Sequence, residues 1–428
     1  MEFDNGLRIH YAGCNESKLM SVHVLFKVGQ DSETPDEFEF CHLLEHLQAQ
    51  LTSDKYPSAP DNVARLEGLG VSSNAYCSTN QTCYHSTFVA DHGETVLDMY
   101  VNMLLHFQPD ISILEQEVTS VLRELEENFI NDIYHEADEE IRRFLYRGHR
   151  RAHGPLESIA NMEDFHVNKD KQAMLKEFRA KHYAPHRCCI MIAGPAELKA
   201  KTLDKLKGLE RWSNTKGGNQ VSPWLGYAAP KPTVCHVSNP KLEVKSARVE
   251  LVWQLGTLYQ GSGVIRSKCS LMYRLLAGGL GGRLVRRLRT GLGIVYAVHV
   301  TYEMDKVNPD LSTFTIELTC KTGDVDRVIG ELLVTMAEPI TKAEWSRVEN
   351  LVMSSYEGSL IPKHPELVAE DLSTPFLWEN TIETIRSRYE RQLRIVRKRE
   401  PLLALGKPSY IFVVSNEKTL DISRKYIA

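Results

Sequence analysis

Phe40, Leu43, Leu44, Leu47 and Leu51 recur at i, i+3, i+4, i+7 and i+11, the period of a helix that buries one stripe. Just before them, Thr34 suits an N-cap, Pro35 the first helical position and Glu37 the far side of a capping box, so this helix is expected to start at Pro35. Val118, Val121, Leu122, Leu125 and Phe129 repeat with the same period and predict a second amphipathic helix over 113–130. Alternation of apolar and polar residues over 7–11, 20–28 and 83–89 predicts strands, with longer helical segments between them.

The polar face of the first helix carries the candidate chemistry. His42, Glu45 and His46 form the inverted zinc-hydrolase pattern H-x-x-E-H. At helical spacing, two imidazoles can reach one tetrahedral Zn²⁺ while Glu45 stands beside the water-occupied fourth position. A catalytic zinc needs one more protein ligand, and the second helix offers two. Glu117 and Glu124 are seven residues apart, which returns both to one face, and either can bind metal.

These motifs together resemble the insulinase/pitrilysin family of zinc metallopeptidases, in which H-x-x-E-H is followed at this distance by an E-x6-E pair. The resemblance implies that Glu124 is the third ligand, with one zinc per chain, and that Glu117 is a supporting site carboxylate. Gly70-Val-Ser-Ser-Asn74-Ala75 resembles the family's G-x-x-x-N-A strand, which borders the cleft and pairs with substrate backbone. Arg179-Ala-Lys-His-Tyr183 followed by 190–194 is similar to the helix-to-strand passage that closes the first half. Ala277-Gly-Gly-Leu-Gly-Gly-Arg283-Leu284 and the Arg289 to Tyr296 spacing resemble the Gly-rich loop and R-x6-Y pair of the second half. The family has serines where Gly281 and Gly282 stand, so the loop departs from the pattern. The resemblance further implies a half clam shell, a homodimer enclosing a chamber, and Arg289 and Tyr296 of one chain serving the zinc of the other. A heterodimer with a degenerate partner is the alternative.

Short matches suggest an internal repeat. Residues 41–46 align with 269–274, 68–70 with 291–293, 86–88 with 312–314 and 111–115 with 340–344, at offsets between 223 and 229. This argues for duplication of one α+β unit, each copy an antiparallel or mixed sheet with helices packed on one face. In the second copy Ser270, Tyr273 and Arg274 replace His42, Glu45 and His46, and Ser346 and Met353 replace Glu117 and Glu124. Only the first copy keeps metal ligands. The linker-like composition of 215–232 places the expected boundary there, between a catalytic domain over 1–214 and a metal-less domain over 233–428.

Composition narrows the function class. A formal charge of -5 with 25% charged residues provides no global attraction for nucleic acid or anionic membrane. The basic clusters at 283–289 and 386–399 are read as solvated helix faces. No run of 18 apolar residues occurs, and the N-terminal residues lack signal or transit character, so a cytoplasmic location is expected. Nine scattered cysteines without zinc-finger spacing suit a reducing compartment. Cys41 adjoins His42, but consecutive helical side chains diverge by about 100°. The expectation is therefore a zinc endopeptidase or oligopeptidase acting on peptides or unfolded segments. A catalytically silent scaffold or partner subunit is the competing reading.

Overall fold

The computed structural model describes residues 1–14, 17–213, 224, 226–256, 262–359 and 364–427. Residues 215–223 and 225 of the expected linker lie outside them. By contact, the chain forms two compact units, Met1–Ile130 with His153–Leu225 and Pro362–Thr384, and Asn131–Ala152 with Gly226–Ile361 and Ile385–Ala428. Two segments thus fall on the far side of the expected division: 131–152 joins the second unit and 362–384 the first.

In the first unit, β1 (Arg8–Gly13), β2 (Leu19–Phe26), β3 (Ser72–Cys77), β4 (Thr82–Val89) and β5 (Cys188–Gly194) form a sheet of order β1-β5-β2-β4-β3. The β1–β5 pairing is parallel and the other three are antiparallel. In the second unit, β6 (Thr233–Ser238), β7 (Ser246–Gln254), β8 (Val298–Glu303), β9 (Thr313–Lys321) and β10 (Tyr410–Ser415) repeat that order as β6-β10-β7-β9-β8, again with one parallel pair. The fold is α+β and duplicated, as expected. One of the short matches does not survive: residues 86–88 lie at the end of β4, whereas 312–314 lie at the start of β9. Identical tripeptides are too short to set register.

Strand alternation sends two sets of side chains to opposite faces of each sheet. On one face of the first sheet, Ile9, Met20, Val22, Val24, Tyr84, Phe88 and Ile190 join the main helical layer in a large core. On the other, Leu25, Cys83, Cys189 and Met191 receive Ala369, Leu372, Phe376 and Leu377 of the helix Pro365–Glu379. Arg8 on β1 secures the C-terminus of that helix by donating to the carbonyls of Phe376 and Leu377, both at 2.8 Å, groups that have no partner within the helix. In the second unit Ala137, Ile141 and Leu145 of the helix His135–Leu145 cover Tyr410, Phe412 and Val414 in the same manner. Each sheet therefore carries helices on both faces. Hydrophobic period shows that a helix has a buried stripe but not which sheet receives it.

All nine cysteines are free, and Cys41 is fully buried in the core. Among the described residues, no helix is long and apolar enough to cross a membrane. Several side chains of the basic segments are paired with acids: Arg287 with Glu331, Arg386 with Glu390 and Arg397 with Glu349. Arg283 departs from the expected solvated face, because it is buried against Glu344 at 2.6 Å and donates to the carbonyls of Glu338 and Pro339.

Candidate metal centre

The helix bearing the two histidines runs Phe40–Ala49. It starts later than expected. Thr34 and Glu37 do form the capping box, but it closes only the short 3₁₀ turn Pro35–Glu37. Glu39 then takes a left-handed backbone conformation with φ of 70°, which breaks the helical path. A new N-terminus opens there, capped by buried Glu33, whose carboxylate accepts from the backbone N–H of Glu39 at 3.2 Å and of Cys41 at 2.8 Å. Phe40, Leu43, Leu44, Leu47 and Leu51 are all buried, as the stripe requires. Burial of each contributes about 1.5–3 kcal/mol to holding this face down. Buried Gln48 locks the rotation, donating to the Tyr84 hydroxyl at 2.7 Å and accepting from Arg179 at 2.8 Å.

The second helix runs Ile111–Leu125 and continues as a π-helical turn through Ile130. Val118, Val121 and Leu125 are buried, but Phe129 is 45% exposed. The wider turn carries it out of the stripe. Glu117 and Glu124 both face the histidines. His42 Nε2 lies 3.2 Å from one Glu124 oxygen and His46 Nε2 3.7 Å from the other. One ligating atom from each of His42, His46 and Glu124 falls within 4.8 Å of the other two. Glu117 instead reaches the far side of a ring, 2.9 Å from His46 Nδ1, and its second oxygen accepts from Gln50 at 2.8 Å.

A carboxylate accepts and does not donate, so in any hydrogen bond between the two the ring nitrogen is the donor. His42 faces carboxylates at both nitrogens, since its Nδ1 lies 3.1 Å from Glu39 Oε2. Burial favours the neutral ring, but the hydrogen bond and charge of Glu39, with Glu45 and Cys77 adding to them, outweigh it and hold the His42 pKa up at about 9. Burial raises the Glu45 pKa, and the charges of Glu124 and Glu117 add to this against the opposing pull of His46 and His42. A carboxyl shifted upward is better suited to exchange protons near neutrality. Two imidazole nitrogens and one carboxylate oxygen, converging with both Nδ1 atoms already held by other acids, are a donor set that fits Zn²⁺.

The remaining residues singled out from sequence occupy two places. Asn74 and Ala75 lie on β3, the edge strand of the first sheet, with Asn74 exposed. In the second unit the Arg289 guanidinium stacks 5.0 Å over the Tyr296 ring, and Tyr296 is 79% exposed. In the Gly-rich loop Gly278 and Gly282 serve close packing, a Cβ on Gly282 coming within 2.6 Å of the Leu276 carbonyl oxygen, whereas Gly279 supplies a left-handed φ of 71°. Glu39 was not singled out from sequence, although it stands one helical turn before His42, the one available signal. Its contact depends on a backbone conformation that no local pattern announces.

Residues 13–153 match the family model described as insulinase (peptidase family M16), and residues 171–351 match the one described as peptidase M16 inactive domain. The chain belongs to the insulinase family. An uncharacterized zinc protease of Mycobacterium leprae is 25% identical over 352 residues, covering 79% of this chain and 74% of the relative. A protease from Helicobacter pylori shares the fold with a TM-score of 0.75 at 15% identity, covering 97% of this chain and 98% of that one. The periplasmic protease PqqL of Escherichia coli matches with a TM-score of 0.73 at 14% identity, and there 98% of this insulinase-family chain spans 47% of the neighbour. The chain thus spans about half of that neighbour and has a zinc-protease-like fold.

Proposed function

We propose that this protein is a zinc-dependent endopeptidase or oligopeptidase, with one zinc per chain held by His42, His46 and Glu124. The observation that carries this reading is the convergence of both Nε2 atoms on Glu124 while Glu39 and Glu117 hold the two Nδ1 atoms. Bound there, zinc supplies Lewis-acid polarisation of a carbonyl and lowers the pKa of a water. Glu45 accepts the proton of the attacking water and returns it to the leaving amine. Glu117, bonded to His46 and Gln50, keeps one imidazole in place throughout.

Substrate is held as an extended segment. β3 pairs on one side with β4, so its outer edge at Asn74 and Ala75 can take a peptide as an added strand once the Ala75 N–H, which donates to Asn74 Oδ1 at 2.9 Å, is released to it. Arg289 and Tyr296 donate hydrogen bonds to substrate or to the developing oxyanion. In this reading they belong to the second chain of a homodimer, which closes a chamber around unfolded segments.

Metal analysis together with cleavage of a complex peptide mixture, with and without chelator, tests the proposal. One zinc per chain and chelator-sensitive cleavage are expected. Stoichiometric zinc with no cleavage of any peptide would favour a silent scaffold or a subunit awaiting a different partner, and absence of zinc binding would overturn the metal assignment.

A further inference from the structure

Glu39 is a costly residue for its position. Its φ of 70° is the left-handed region, which side chains other than those of Gly, Asn and Asp seldom occupy. Its carboxylate is buried, and a buried acid must be matched by partners. It does not cap the helix it precedes, since its side chain makes no cap hydrogen bond and Glu33 performs that task. One of its oxygens instead faces His42 Nδ1 at 3.1 Å, and the other accepts from the Ser158 hydroxyl at 2.7 Å.

We infer that Glu39 is a positioning residue for His42, setting its tautomer and ring orientation so that Nε2 is the nitrogen offered to metal. The inference rests on the zinc reading above. An imidazole whose Nδ1–H is donated to a carboxylate has its lone pair on Nε2 and little freedom to turn. Glu117 stands in the same relation to His46, 2.9 Å from its Nδ1, so the two rings are held alike by acids from different parts of the chain. The support beneath Glu39 is built as well. Ser158 and Asn161 lie on one face of the helix Pro155–Val167, and Asn161 donates to the Phe38 carbonyl at 2.6 Å, next to the left-handed turn. That helix therefore grips both the backbone entering the turn and the carboxylate leaving it.

Zinc affinity of the full-length protein, read by competition with a chromophoric chelator, tests this, alongside the thermal midpoint of the metal-free protein. Glu39→Gln keeps an acceptor but no charge, and Glu39→Gly suits the backbone while removing the side chain. Zinc binding weaker by about 10–100-fold is expected for Glu39→Gln, and at least as weak for Glu39→Gly, with Ser158→Ala shifted the same way by less. Nitrogen-15 spectra of the metal-free Glu124→Ala protein, in which Glu124 no longer competes for Nε2, should show neutral His42 hydrogen-bearing at Nδ1, and a mixture of tautomers once Glu39→Gly is added. Two results would overturn the inference: zinc affinity within about threefold of the parent in both Glu39 variants, or His42 spectra unchanged by Glu39→Gly. Parent and Glu124→Gln proteins run in parallel separate this failure from that of the zinc assignment, since tight zinc binding lost only in Glu124→Gln leaves the metal site standing without Glu39.

Discussion

Glu124→Gln and Glu117→Gln remove the same charge from the same helix, yet they should differ sharply in metal affinity. Glu117 makes two contacts, to His46 Nδ1 and from Gln50 Nε2. A glutamine there can still accept from the ring if the Gln50 amide turns over to offer its oxygen, so the geometry survives and only charge is lost. Changes of this kind cost about 10–100-fold in metal affinity. Glu124 is different: its two oxygens face both Nε2 atoms at 3.2 and 3.7 Å, the position of a ligand. A carboxylate oxygen in direct contact with a dication contributes on the order of 4 kcal/mol even at the dielectric of water, or about 10³-fold. That high dielectric is the relevant one, because the Glu124 side chain is 47% exposed. Chelator competition at constant pH measures both constants, and metal content after gel filtration provides a second reading. If Glu117→Gln loses as much zinc as Glu124→Gln, or more, the two carboxylates have been given each other's roles and the ligand assignment fails.

Glu45→Gln should retain zinc and the thermal midpoint while peptide hydrolysis falls by about 10²–10⁴-fold; near-normal turnover by the metal-loaded variant would remove Glu45 from the proton-transfer role. Tyr296→Phe chains mixed with Glu45→Gln chains should partly regain activity absent from either homodimer, because one of the two sites in the mixed species combines both intact residues; background activity in verified mixed dimers would refute the shared site. In the second unit, the Arg283 hydrogen bonds outweigh burial and hold the Glu344 carboxyl down at about 2, against an ordinary 4.5. A depressed folded-state value means that this contribution is complete above pH 4.5 and is lost as pH falls through about 2. The stability gap between parent and Glu344→Gln should therefore narrow over that interval in thermal melts, and a constant gap would contradict the assigned cause.

Local sequence determined which faces of which helices carry chemistry. His42, Glu45 and His46 share a face because 3.6 residues complete a turn, and the Phe40 to Leu51 stripe turns that face away from the core whatever the rest of the chain does. Spacing alone likewise put Glu117 and Glu124 side by side, and the repeat was legible because both copies bury the same pattern. Periodicity could not choose between the two glutamates. That choice depends on the docking of one helix against the other, which brings Glu124 to the Nε2 side of both rings and Glu117 to the Nδ1 side of one. Nor could it find Glu39, whose contact with His42 is created by a single left-handed residue and supported from a helix 119 residues away in sequence. The helix His135–Leu145 follows the same rule: its sequence carries Ala137, Ile141 and Leu145 at helical spacing, but which sheet covers them was decided by tertiary structure. Burial of apolar area is non-directional, so a stripe specifies that it must be covered and leaves the partner to shape and packing.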